Sequence, residues 1–112
     1  MGSKNKLKRF QENETFPNVI GGFPLKGKWH THFKNNNPIV LELGCGKGEY
    51  TVGLAKRFPN KNFIGIDIKG ARFWRGAKIA IEENLPNVTF IRTQIELVDY
   101  IFGKEEVSEI WI

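Results

Sequence analysis

The sequence predicts an α/β fold, the N-terminal half of a doubly wound, mostly parallel sheet that follows a basic N-terminal extension. Three observations predict it. From residue 38 onward, short apolar runs rich in β-branched residues alternate with segments of helical periodicity. A glycine-rich loop, residues 44–48, separates the first apolar run from the first helix, and an acid, Asp67, ends the second run. Strands that alternate with helices in this way form βαβ units and a parallel sheet.

The chain divides at Pro38 into two predicted parts. Residues 1–37 lack sustained periodicity and carry turn-forming residues such as Pro17 and Pro24, so they predict an extension with one short helix. Residues 38–112 predict a partial ligand-binding domain that ends at its fourth strand. Because doubly wound sheets commonly have about six strands, we expect a truncated chain or one half of a domain. The exposed edge of such a half-sheet favours self-association.

Four strands and three helices are predicted within residues 38–112. The strands are apolar runs at 39–43, 62–67, 88–92 and 108–112. The helices cover residues 49–58, 70 to about 84 and 95–102. The predicted apolar face of the first helix consists of Tyr50, Val52, Leu54, Ala55 and Phe58. The predicted apolar face of the second consists of Ala71, Trp74, Ala77, Ala80 and Ile81.

The excess positive charge of the chain is concentrated in the extension. Residues 1–37 contain seven Lys and Arg against two Glu, whereas residues 38–112 contain ten basic and ten acidic residues. The aromatic residues spaced among these lysines are Phe10, Phe16, Phe23, Trp29 and Phe33. Cations with interleaved aromatics suit nucleic acid, through phosphate contacts and base stacking. The alternative is a solvated extension whose aromatics pack on their own domain, and composition leaves both open.

Composition disfavours several classes of protein. The chain has no apolar run of the roughly 18 residues that a transmembrane helix needs, and no apolar signal-peptide core follows its basic start. Cys45 is the single cysteine, which excludes an internal disulfide and a cysteine-based zinc site. His30 and His32 alone do not define a metal site. We therefore expect a cytoplasmic protein with neither a metal nor a membrane partner.

The glycine loop is the strongest functional signal in the sequence. Gly44, Gly46 and Gly48 lie where a strand gives way to a helix, so they permit a tight turn and let a ligand approach the backbone. The following helix directs free N–H groups towards such a ligand. Asp67 ends the next strand, where an acid can accept hydrogen bonds from both hydroxyls of an adenosine ribose. Together these residues predict a cofactor that contains adenosine.

Two cofactor classes use this arrangement, and nearby acids distinguish them. The spacing G-x-G-x-G differs from the dinucleotide pattern G-x-G-x-x-G, and Glu42 and Glu49 would repel a pyrophosphate. S-adenosylmethionine, which presents an ammonium and a sulfonium, is therefore favoured over a dinucleotide and over an unliganded turn. Gln94 and Ile95 follow the third strand and are predicted to contact the adenine, and Ile68 completes the predicted site. Gln94 could instead be a polar residue at the start of a helix.

The second helix carries a basic flank. Lys69, Arg72, Arg75 and Lys78 recur every three residues, so their side chains can hold the phosphates of an RNA. The alternative is an ordinary solvated helix face.

In the glycine loop, Cys45 is interpreted as a small space-filling residue and not as a nucleophile.

Residues 38–51 and 63–78 closely resemble the bacterial tRNA (guanine-N7)-methyltransferases, and the resemblance extends to residues 8–10 and 25–29. It implies a Rossmann-like methyltransferase domain that uses S-adenosylmethionine to methylate N7 of a guanine in the variable loop of tRNA. The family's cofactor contacts fall on Glu42, Asp67 and Gln94, and the family commonly has Asp or Asn at the last position. The family continues into a Phe-Pro-Asp-Pro motif that these residues do not contain. The catalytic residues therefore stay unknown, and the 112 residues are predicted to be inactive alone.

The chemistry of the implied reaction agrees with the residues found. Guanine N7 has a lone pair and carries no proton, so its methylation requires no general base and depends on positioning and electrostatics. The sequence offers no nucleophile, acid–base pair or metal constellation.

Two other functions stay open. One is a methyltransferase that acts on a small molecule or a protein, and the other is an RNA-binding module without catalysis.

Overall fold

The chain folds around a five-stranded parallel sheet in a computed structural model that describes residues 7–9, 11–12, 15–20 and 25–111. The strands are β1 (Val19–Ile20), β2 (Ile39–Leu43), β3 (Asn62–Asp67), β4 (Val88–Arg92) and β5 (Glu109–Trp111). The helices are α1 (Trp29–Phe33), α2 (Glu49–Arg57), α3 (Gly70–Glu82) and α4 (Val98–Ile101), and a 3-10 turn at Ile95–Leu97 leads into α4. The strand order is β1-β4-β3-β2-β5. The predicted α/β class with a parallel sheet is confirmed.

The three central strands end together at one edge of the sheet. β2 and β3 pair with Leu43 beside Ile66, and β3 and β4 pair with Asp67 beside Arg92. All three strands have the bounds that the sequence predicts. The segments that follow them, including the glycine loop, therefore share the carboxyl edge of the sheet, where doubly wound folds bind ligands.

Apolar side chains cover both faces of the sheet, because successive residues of a strand point to opposite sides. The strand residues buried beneath α2 and α3 are Val40, Phe63, Val88 and Phe90. The strand residues buried on the other face, with α1 and α4, are Ile39, Leu41, Ile64, Ile66 and Ile91. Burial on both faces accounts for the near-continuous apolar runs by which the strands were recognised.

The apolar face predicted for α2 is partly wrong. Tyr50 and Phe58 are 54% and 37% exposed. The buried residues of the helix are Thr51, Val52 and Ala55. Thr51 can take an inward position because its hydroxyl donates a hydrogen bond to the carboxylate of Glu42 on β2, so its polar group is satisfied where it is buried.

The face predicted for α3 is rotated relative to the one observed. The fully buried residues of this helix include Phe73, Ala77 and Ala80. Phe73 stacks on Phe90 of β4 with ring centroids 5.2 Å apart. Trp74 is only partly buried and Ile81 is 38% exposed, because one residue turns a helix by about 100° and places Trp74 on the flank. The side chain of Ala71 lies outside the described part of the chain.

Part of the extension is built into the sheet. β1 pairs with β4, with Val19 beside Phe90 and Ile20 beside Ile91. The extension also contains α1 and helical residues at 7–9 and 11–12, which is more helix than the single short one predicted. The division of the chain at Pro38 into an extension and a domain stays a prediction.

The aromatic residues of α1 belong to the core. Trp29 and Phe33 are 1% and 6% exposed, and the indole N–H of Trp29 donates to the carbonyl of Ile101 at 2.9 Å. Of the two interpretations that composition left open, packing on the chain's own domain therefore holds for these two rings, because both are withdrawn from solvent. Phe16 also packs, partly buried, against the core. Phe10 and Phe23 lie outside the described residues.

A buried carboxylate ties the extension to the segment before β5. Glu106, 8% exposed, accepts hydrogen bonds from three backbone N–H groups. The donors are Gly27 at 2.9 Å, Trp29 at 2.9 Å and Gly103 at 2.8 Å. One of these groups, the N–H of Trp29, belongs to the first residue of α1, where N–H groups have no partner within the helix. Glu106 thereby fixes α1 and the Trp29 side chain against the sheet.

We expect Glu106→Ala to lower the free energy of unfolding by about 3 kcal/mol, because three buried N–H groups lose their acceptor. Glu106→Gln keeps one carbonyl oxygen but turns an NH₂ group towards an N–H, so its loss should be intermediate. Urea denaturation followed by circular dichroism measures both, with the exposed Glu82→Ala as the control. Equal stability of Glu106→Ala and the wild type would contradict this role.

Candidate cofactor site and nucleic-acid surface

The glycine loop has the backbone conformation for which glycine is required. Gly44, Gly46 and Gly48 have φ values of 71°, 57° and 78°, in the left-handed region that other residues adopt only with strain. The N–H groups of Gly44 and Cys45 donate to the carbonyl of Ile66 at 2.7 and 3.0 Å. The loop therefore folds over the end of β3 before α2 begins.

The loop also lies in direct backbone contact with α3. A Cβ on Gly76 would lie 2.9 Å from backbone atoms of Gly48, and a Cβ on Gly48 would lie 2.8 Å from the ring of Phe90. The N–H of Gly76 donates to the carbonyl of Lys47 at 3.1 Å. Gly76 is not among the residues predicted from the sequence, although a glycine inside a helical pattern is itself a signal of close packing.

Asp67 joins the loop to the start of α3. One carboxylate oxygen accepts from the N–H of Gly46 and the other from the N–H of Lys69, each at 2.9 Å. The side chain is buried, with Asp67 4% exposed. The N–H of Thr93, after β4, donates to the carbonyl of Asp67 at 3.1 Å. Asp67 thus has a structural role that the sequence did not predict, and its oxygens retain acceptor capacity beyond these bonds.

Glu42 places a second carboxylate beside the loop. It is half-buried on β2 and accepts the hydroxyl hydrogen bond of Thr51. Burial raises the pKa of Glu42, and the hydrogen bond from Thr51 opposes this shift. A carboxylate whose charge is incompletely compensated can attract a cationic group of a ligand.

Cys45 is unsuited to nucleophilic chemistry. Its side chain is 8% exposed. Burial, and after it the charges of Asp67 and Glu42, raise the pKa of the Cys45 thiol. The thiol therefore stays protonated near neutral pH, and the protonated form is a poor nucleophile. Its position between loop glycines agrees with a space-filling role.

The remaining predicted cofactor residues lie at the same carboxyl edge. Ile68 follows β3 and is 55% exposed, while Ile95 follows β4 and is 43% exposed. Gln94 is exposed and extended, and its side chain makes no capping hydrogen bond to the turn that follows. All the residues predicted to bind the cofactor therefore lie at or next to the carboxyl edge of the sheet: Glu42, Gly44, Gly46, Gly48, Asp67, Ile68, Gln94 and Ile95.

The predicted basic flank of α3 is partly engaged within the protein. Lys69, Arg72 and Arg75 are exposed. Arg75 Nε lies 3.6 Å from a carboxylate oxygen of Glu49, but both side chains are more than half exposed, so this ion pair is weak. Lys78 Nζ lies 4.9 Å from the centroid of the Trp74 ring.

The two histidines of α1 are used within the fold. His30 Nε2 lies 3.0 Å from the carbonyl of Asn37, and His32 Nε2 lies 2.9 Å from the hydroxyl of Thr89. Burial lowers the pKa of His32. In the described part of the chain, no group of three or more His, Cys, Asp or Glu side chains could hold a metal ion. The described helices also include none with the length and apolar character needed to cross a membrane.

The fold and the glycine loop together are of the Rossmann-like kind found in methyltransferases. A solved structure described as an antibiotic-related methyltransferase superposes with a TM-score of 0.60 at 22% identity, over 75% of this chain and 43% of that one. This likeness shows the fold. A family model described as "Putative methyltransferase" matches residues 36–112. The chain belongs to this methyltransferase family.

Two curated relatives are more similar in sequence to the chain than that solved structure is. It is 69% identical to the tRNA (guanine-N(7)-)-methyltransferase of Christiangramia forsetii, over 100% of this chain and 54% of the relative. It is 61% identical to the protein of the same name from Porphyromonas gingivalis, over 88% of this chain and 46% of the relative. The chain thus spans about half the length of the curated relatives that it matches.

The contact between Gly48 and Gly76 leads to a test with a matched control. We expect Gly76→Ala to destabilise the protein by about 1–3 kcal/mol, because the new methyl group meets backbone and not a flexible side chain. In α2, Gly53 has nothing within 4 Å of the corresponding position, so Gly53→Ala should stabilise by about 0.5–1 kcal/mol. Thermal and urea unfolding measure both changes. The same sign of change in both variants would refute the packing argument.

Proposed function

We propose that this chain forms the cofactor-binding half of a tRNA (guanine-N7)-methyltransferase that uses S-adenosylmethionine. The observation that carries the proposal is the 69% identity, over the whole chain, to a relative of that name. The target would be N7 of a guanine in the variable loop of tRNA, and the protein would act in the cytoplasm, where tRNA is modified. The geometry of the carboxyl edge supports the cofactor assignment independently of the relatives.

The residues present fit the chemical groups of S-adenosylmethionine. The half-buried carboxylate of Glu42 suits the α-ammonium group, and Asp67 suits the ribose hydroxyls with its unused acceptor capacity. Ile68 and Ile95 offer exposed apolar surface, and Gln94 an uncommitted amide, for the adenine. Gly44 and Gly46, which have nothing within 4 Å of a Cβ position, leave the backbone open to close approach. The cofactor would supply an electrophilic methyl group at its sulfonium.

The work proposed for these residues is binding and orientation. N7 of guanine presents a lone pair and no proton, so no side chain has to remove one. The protonated thiol of Cys45 agrees with a reaction that has no protein nucleophile. Rate acceleration would then come from holding the methyl group and N7 in line. The exposed cations Lys69, Arg72 and Arg75, with Lys78, would hold phosphates of the tRNA.

Cofactor binding and methyl transfer test the proposal together. Calorimetry should show saturable binding of S-adenosylmethionine, weakened about 10- to 100-fold by Asp67→Ala, which removes both backbone anchors and the proposed ribose acceptor. Asp99→Asn, at an exposed acid of α4, serves as the control. Transfer of labelled methyl to unmodified tRNA should be absent with the 112 residues alone and present with a full-length relative. Undiminished binding by Asp67→Ala would remove this residue from the site, and no binding by the wild type would overturn the proposal.

The raised pKa of Glu42 gives cofactor binding a characteristic pH dependence. We expect affinity to fall as the pH drops through this pKa, because only the ionised carboxylate attracts an ammonium. Since burial raises the pKa of Glu42, the loss should begin at a higher pH than an exposed glutamate would give. Thr51→Val removes the hydrogen bond that favours the ionised form, so it should move the loss to still higher pH.

Glu42→Gln is the control for this titration. It should weaken binding at neutral pH and abolish the acid-dependent loss, because no carboxylate remains at that position. Calorimetric titrations between about pH 4 and pH 8 measure all three proteins. An identical pH profile in the wild type and in Glu42→Gln would show that another group controls the dependence.

A further inference from the structure

The ring of Trp74 on α3 is contacted by two cations from distant parts of the chain. The guanidinium carbon of Arg9, in the extension, lies 4.7 Å from the ring centroid, and Lys78 Nζ, one turn further along α3, lies 4.9 Å from it. Cations within about 6 Å of a Trp centroid are attracted by the negative face of the ring. Trp74, Arg9 and Lys78 are called the Trp74 junction below.

The junction concentrates positive charge without an anionic partner in the described part of the chain. Neither Arg9 nor Lys78 forms an ion pair there, whereas Arg75 pairs with Glu49. At the end of α3, Glu83 is paired with Lys56 at 2.6 Å. Two like charges held near one ring repel each other, and an anion that contacts both would relieve this repulsion.

The chemistry of the junction selects phosphate over a nucleic-acid base. Its ring already holds cations and is only partly exposed, so it positions charges and does not offer a free face for base stacking. The extension offers neither Trp29 nor Phe33 for base stacking, because both rings are buried in the core. Its cations, including the exposed Lys8 next to Arg9, are what it presents to a partner.

We propose that the Trp74 junction binds a phosphate of the RNA backbone and aligns the basic extension with α3. This rests on the proposed function, since tRNA is the polyanion considered, and it assigns a residue pair and a positioning residue to that interaction. Arg9 and Lys78 contact the phosphate. Trp74 acts through them, because its ring contacts both the guanidinium of Arg9 and the ammonium of Lys78. The basic residues of the extension and those of α3, on either side of the junction, then lie along one RNA backbone.

Salt-dependent binding of unmodified tRNA tests the junction. Arg9→Gln and Lys78→Gln should each reduce the slope of log K against log salt by about 1 and weaken binding about fivefold near physiological salt. Lys104→Gln removes an exposed charge outside the junction and should leave the slope unchanged. Trp74→Leu should weaken binding as Arg9→Gln does, while Trp74→Phe, which keeps an aromatic face, should retain most of the affinity.

A double variant separates positioning from a general loss of stability. If Trp74 acts through Arg9, then Trp74→Leu adds little to the effect of Arg9→Gln. Binding of S-adenosylmethionine is measured on every variant and should be unchanged, which also shows that each variant is folded. Wild-type tRNA affinity and slope in both Arg9→Gln and Trp74→Leu/Arg9→Gln would overturn the junction and leave the proposed function intact. Absence of S-adenosylmethionine binding by the wild type would instead overturn the proposed function.

Discussion

The site depends on the close approach of the glycine loop to α3 at Gly48 and Gly76. At this contact the backbones are so near that a single Cβ would displace one of them. The loop can lie there only because its glycines adopt left-handed φ values. Gly65 extends the same constraint into β3, since a Cβ there would lie 2.9 Å from the ring of Phe90. Phe90 thus packs into space left by two glycines, and Phe73 of α3 stacks on it.

The two carboxylates at this edge, Asp67 and Glu42, contribute differently to the stability of the fold. Asp67 is buried but accepts hydrogen bonds from two backbone N–H groups, which satisfy its oxygens and hold the loop against the start of α3. Glu42 receives one hydroxyl hydrogen bond, and burial still raises its pKa, so its ionised form is held at a cost to the folded state. A bound cation would recover that cost. The pair therefore combines one acid that holds the loop in place with one whose charge is less fully compensated within the fold.

Sequence alone predicted the central strands and the positions of the loop glycines and Asp67, because strand, turn and helix follow one another locally there. It did not predict contacts between distant residues. Glu106 lies 79 residues from Gly27, whose N–H it accepts, and nothing near Glu106 indicates that partner. The face of α3 was misassigned for a different reason. Its many alanines allow several apolar stripes, and only the fit of Phe73 against Phe90 selects one of them.

α3 links the two halves of the proposed function because it carries features of both within a few residues. Its buried side contacts the glycine loop at Gly76, and on its flank Trp74 contacts Arg9 of the extension. The side chains of Phe73 and Ala77 fix α3 in the core, where neither is exposed. The helix therefore cannot shift at its contact with the glycine loop without also shifting at its contact with Arg9. The distance between the loop and the basic surface is therefore set by a single rigid helix. Alignment of RNA with the cofactor would then follow from the packing of α3 and would require no movement of the loop.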